Sequence, residues 1–94
     1  MMKTSTVIKK LQKAFPDISG IRQDEECPDA IHLGNCAEGG TIDGISACDY
    51  YGGFEDPKEK IWIMGVHHKL DNLLERLGYY AEPKNAGEYV AYKI

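Results

Sequence analysis

The 94-residue chain has no apolar run that could cross a bilayer. Its longest uncharged apolar stretch, IWIMGV at 61–66, falls far short of the roughly 20 residues a spanning helix needs. A signal-peptide core is also missing, because MMKTSTVIKKLQKAF carries lysines through its apolar positions. The expected location is therefore cytoplasmic. Cysteine is scarce: Cys27, Cys36 and Cys48 are odd in number and form no C-x-x-C. That argues against a disulfide framework and against a zinc site built on paired ligand spacing. The three are expected to be free thiols, buried as small hydrophobes in a reducing compartment. G-x-G-x-x-G, P-loop and H-E-x-x-H patterns are all missing, so nucleotide and zincin chemistry have no basis in the sequence. Neither a cofactor nor a metal is expected.

What is present describes one globular domain over residues 1–94. At 43% hydrophobic and 28% charged residues, the chain can build a core and is not of the disordered type. The net charge of −4 is unevenly spread. Residues 1–16 hold four lysines and no acid, whereas residues 17–59 hold eleven acids against only Arg22 and Lys58. Such a middle segment is a poor ligand for phosphate backbones, which need lysine and arginine, so direct nucleic-acid binding is not expected. It suits a basic protein surface instead, since acids steer basic partners and aromatic residues anchor interfaces. The candidate contact residues are Asp24, Glu25, Glu26, Asp29, Asp49, Tyr50, Tyr51, Phe54, Glu55 and Asp56.

Hydrophobic spacing predicts a helix over 5–15, with Val7, Ile8, Leu11, Ala14 and Phe15 on one face. Thr4 or Ser5 is expected to cap its start, and Pro16 to end it. Residues 16–29 show no sustained period and read as a loop. Strands are expected in AIHLG, in TIDGISACDYY with a bulge at Gly44, and in IWIMGV. The last of these has two apolar faces, as a covered central strand would. GGFEDPKEK reads as a long acidic loop between the second and third strands. A second helix, HKLDNLLERL, follows with Leu70, Leu73, Leu74 and Leu77 in a narrow stripe and Gly78 just past its end. YYAE, the turn PKNAG and EYVAYKI complete a C-terminal hairpin, with Val90, Tyr92 and Ile94 on one face of the last strand. The resulting order is α-β-β-β-α-β-β. It predicts an α+β two-layer sandwich: a mainly antiparallel sheet of about five strands with two helices on one face.

Two constellations could carry chemistry. His67 could pair with Asp71 four residues on, as a metal-ligand or acid–base couple at a helix start. Neighbouring helical positions diverge, so a helix already begun at residue 67 would turn His68 to solvent and keep the doublet from one metal. Cys36, in GNCAEGG, has flanking glycines whose N–H groups could stabilise a thiolate or an oxyanion. A small metal- or thiol-dependent enzyme around His67, Asp71 and Cys36 is thus the alternative to a binding protein. The helix-strand order also matches that of double-stranded-RNA-binding domains. Those modules carry a lysine cluster where this chain has HHKLDN.

The C-terminal third, GVHHKLDNLLERLGYYAEPKNAGEYVAYKI, resembles the ends of small uncharacterised proteins from phages and other mobile elements. The likeness lies in a Gly-x-His, a leucine helix, a glycine followed by aromatics, and a glycine-containing turn into a last strand. It implies a class of accessory proteins that act by binding and inhibiting host machinery, nucleic-acid-guided defence complexes included. A homodimer is a further expectation, formed across the edge of the sheet with EYVAYKI as the pairing strand.

Overall fold

The computed structural model describes residues 3–49, 61–63 and 65–94. Helix α1 spans Thr4–Ala14 and buries Val7 and Leu11, while Lys9, Lys10 and Lys13 stay exposed. The expected serine or threonine cap does not form. The helix opens with Lys3 at the N-cap position, which makes no side-chain cap bond, and the Thr4 hydroxyl lies 3.5 Å from that of Tyr79. Helix α2 spans His68–Arg76 and follows its sequence pattern closely. Leu70 and Leu74 are fully buried, Leu73 and Leu77 pack at the margin of the core, and Gly78 turns the chain with φ 85°.

Four strands form the main sheet: β1 (Ile21–Gln23), β2 (Ile31–Leu33), β7 (Tyr79–Asn85) and β8 (Glu88–Lys93), all antiparallel and in the order β1-β2-β8-β7. Strand β1 lies inside the segment expected to be a loop. Three residues are too few for alternation to register in sequence, and the strand exists because β2 offers its ladder and Ile21 completes the core. EYVAYKI is central, with partners on both sides, so it cannot be the pairing edge of a homodimer. The edges are β1 and β7. The Gln12 side chain bonds the Ile21 carbonyl at one of them, and Pro83 interrupts the other.

Two expected strands are hairpins. TIDGIS folds as β3 (Thr41–Ile42) against β4 (Ile45–Ser46), with Asp43 and Gly44 at φ 54° and 79°. Positive φ at both central residues makes a two-residue turn that matches strand twist, and Asp-Gly is among its preferred pairs. IWIMGV likewise reverses, giving β5 (Trp62–Ile63) against β6 (Val66–His67). Met64 lies outside the described residues. Gly65 has φ 85°, and a side chain there would meet the Asp49 carbonyl at 2.8 Å and the Tyr89 hydroxyl at 2.9 Å. Because the run folds back on itself, it is not a doubly covered strand: Ile63 is exposed while Val66 is buried. Backbone bonds from His67 to Ala47 and from Asp49 to Gly65, each 2.8 Å, join the two hairpins. The Trp62 indole N–H adds a bond to the Ser46 carbonyl.

Both helices, the hairpins and the odd-numbered face of the main sheet enclose one core. Ile21, Ile31, Leu33, Tyr79, Tyr89 and Ala91 point into it from the sheet. The architecture is thus a compact α+β fold with antiparallel sheets. No helix among the described residues is long and apolar enough to cross a membrane.

Candidate functional site

The even-numbered positions of the main sheet lie on its second face, because side chains alternate along strands and directly opposed residues share a side. Register puts Arg22, His32, Val90 and Glu82 in one row across β1, β2, β8 and β7, with Tyr92 and Tyr80 opposed in the next. The two tyrosine rings sit with centroids 5.9 Å apart, and Tyr80 is 42% exposed. Tyrosine offers a large contact area with a polar tip, as interface residues commonly do. Sequence reasoning placed Val90 and Tyr92 on one face but did not name Tyr80, Tyr92, Glu82 or Glu88 as contact residues. Alternation in EYVAYKI was the available signal; which side the helices would cover was not.

The turn between β1 and β2 borders this face and holds the first cluster of acids. Asp24 was expected on the docking surface, yet its side chain is only 5% exposed and turns inward. One carboxylate oxygen accepts the N–H groups of Glu26 at 3.2 Å and Cys27 at 3.0 Å, which closes the turn. The other oxygen lies 3.7 Å from the Lys84 ammonium, which is also 3.8 Å from Glu26. Asp24 is therefore the organiser of the turn. Glu25, Glu26 and Asp29 do face solvent, at 83% side-chain exposure for Glu26 and 80% for Asp29, which stands 3.8 Å from Lys93. Asp49 is half-buried. Tyr50, Tyr51, Phe54, Glu55 and Asp56 lie outside the described residues.

A groove of about 390 Å³ runs along the same face, with His32, Arg22, Asn35, Glu38 and Glu88 among its walls. A second hollow of about 200 Å³ shares Arg22, His32 and Glu88 and reaches Glu25 and Glu26. His32 is buried, and its Nδ1 accepts the Gly34 N–H at 3.0 Å. In the neutral ring the proton then sits on Nε2, which faces Glu88 across 3.7 Å. The Arg22 guanidinium reaches back to the Gly20 carbonyl at 3.2 Å.

The histidine doublet resolves differently from its expectation. The helix begins at His68, so His67 is the end of β6 and the N-cap of α2, where its Nδ1 accepts the Lys69 N–H at 3.1 Å. His68 is half-buried rather than turned to solvent. Its Nδ1 lies 3.1 Å from the Ile61 carbonyl and so donates, and its ring stacks on that of His67 at 4.5 Å. In their neutral forms the two rings carry their protons on opposite nitrogens. Burial holds the His67 imidazole below the ordinary histidine range, with His68 adding to this and Asp43 opposing it.

The partner proposed from sequence, Asp71, does not engage His67. Burial and the neighbouring Glu75 raise the Asp71 carboxyl instead. The carboxylate near the histidines is Asp43, at the tip of the β3–β4 turn, where an ion pair with Lys69 pulls it below the usual carboxylate range. Cys36 is fully buried, beyond the reach of a substrate. No hydrogen bond or ion pair joins His67, Asp71 and Cys36, and no group of three metal-ligating side chains occurs among the described residues. No protein-family model matches the chain, and no curated protein or solved structure matches it either, so its functional reading rests on the chemistry of its own surface.

Proposed function

We propose that this chain is a non-enzymatic protein-binding module that engages a basic protein surface. The carrying observation is the continuity of the exposed acids Glu25, Glu26 and Asp29 with a sheet face bearing Glu82, Glu88 and the Tyr80–Tyr92 pair. Acids around an aromatic anchor suit a partner that presents lysine and arginine, because opposite potentials accelerate encounter while the rings supply contact area. A partner whose own ligand is nucleic acid has such a surface, and occupying it would inhibit that partner. The acids extend over one turn and one sheet face, enough to cover a short piece of a phosphate-binding surface and no more.

The test is capture from a lysate of the natural host at low salt with the full chain, comparing wild type, Glu25→Lys/Glu26→Lys/Asp29→Lys and Tyr80→Ala/Tyr92→Ala. The wild type should retain a basic protein that both variants lose, with association to the purified partner slowed by about tenfold or more in the charge variant. Circular dichroism checks that the variants are folded. Capture of no basic protein, or equal capture by the charge variant, removes the reading.

A further inference from the structure

Cys36 and Cys48 take no part in the binding surface, and both are fully buried in the core. They belong to separate pieces of backbone: Cys36 lies in the turn after β2, and Cys48 two residues beyond β4. The Cys48 N–H donates to the Cys36 carbonyl at 2.8 Å. This is a single bond rather than the reciprocal pair of a ladder, and the bond lengths along it place the two Cα atoms about 5–6.5 Å apart. Disulfides bridge Cα separations of about 4.4–6.8 Å, so the pair already has the spacing of a bridge. The two side chains also interact: the neighbouring Cys36 thiol, together with burial, pushes the Cys48 thiol well above the ordinary thiol range.

We propose that Cys36 and Cys48 form a reversible disulfide site, closed in the folded chain by a small oxidant such as hydrogen peroxide. One sulfur attacks the peroxide O–O bond, giving a sulfenic acid and one water. The second sulfur then displaces the sulfenic oxygen as another water. Two S–H bonds are lost, one S–S bond forms, and the peroxide is reduced to two waters. Burial of both thiols makes a small oxidant the fitting one and the turn at 36–40 the element that must open, because Glu38 and Gly39 within it are exposed. The closed ring would span residues 36–48 and enclose the β3–β4 hairpin, whose Asp43 reaches Lys69 on α2. Oxidation would therefore staple the hairpin to the turn that follows β2.

The competing thiol is the half-buried Cys27. The test uses the folded full chain, treated with hydrogen peroxide, alkylated and weighed intact. Trypsin leaves all three cysteines in the single peptide 23–58, so the link is mapped by cleavage at Asp29 and Glu38. The expected product has lost two hydrogens, links Cys36 to Cys48, leaves Cys27 open to alkylation and returns to the thiols with dithiothreitol. It should form equally in Cys27→Ser and in neither Cys36→Ser nor Cys48→Ser. In the Cys27→Ser background, where no other pair exists, closure should lower the unfolding equilibrium constant by about a hundredfold, the loop-closure effect for a ring of this size. Three outcomes overturn the proposal: a link that uses Cys27, overoxidation to sulfinic acid without a link, or closure only at denaturant concentrations that unfold the chain.

Discussion

His32 and His67 make the same local bond in two different settings. Each is buried, His32 in the middle of β2 and His67 at the end of β6, and each uses Nδ1 to accept the N–H two residues on, from Gly34 at 3.0 Å and from Lys69 at 3.1 Å. Beyond that bond they diverge. His32 lines the groove on the second sheet face, with Glu88 3.7 Å from its Nε2. His67 closes the first turn of α2 against a stacked imidazole and beside a lysine, where a proton meets neither solvent nor a direct carboxylate partner. Identical turn chemistry thus shapes a groove wall in one place and holds a helix in the other. The difference lies wholly in what packs around the ring.

The comparison breaks most visibly when each ring is removed. His67→Ala should cost about 3 kcal/mol in denaturant unfolding, from a lost cap and a cavity in the core. His32→Ala should cost only about 1 kcal/mol, the net value of one hydrogen bond. Equal losses would show that the two settings do not differ in energy as their packing does.

Acid titration sharpens the same contrast. The folded-state pKa of His67 is depressed by burial, so the unfolded chain takes up its proton more readily than the folded one. The stability this contributes is complete above the unfolded value of about 6.5 and declines as pH falls below it toward the folded pKa. Thermal midpoints should therefore drop between pH 7.5 and pH 5. His67→Asn, which keeps an acceptor at the N-cap, should flatten that part of the profile.

The smallest effect concerns the charge beside the doublet. Asp43→Asn retains a residue suited to the left-handed turn and removes the ion pair with Lys69. Because that pair is at the surface, the midpoint should shift slightly at low salt and not at all at high salt.

Local pattern made part of this molecule readable. The leucine stripe and Gly78 located α2, since a helix must bury one face and end on a residue tolerant of positive φ. Alternation in EYVAYKI divided its residues between two faces correctly. The Asp43–Gly44 hairpin was also written in the chain, but a longer apolar run around it reads equally well as one strand, and only the turn chemistry separates the two. Strand β1 was not readable, because three residues carry no period. Nor was the inward turn of Asp24: an acid in an acidic run looks solvated until backbone N–H groups converge on it. The couple of His67 with Asp71 failed for a related reason. A spacing of four residues brings side chains together only within a helix, and this helix begins one residue later.

The sequence by itself determined the class of fold, the faces of its helices and the charge of its middle segment, because these follow from local period and composition. Tertiary structure alone decided which sheet face the helices cover, which acid is structural, and which histidine lines a groove. Those outcomes depend on contacts between residues far apart in the chain, such as Lys84 with Asp24 and Glu88 with His32, and local periodicity carries no record of them.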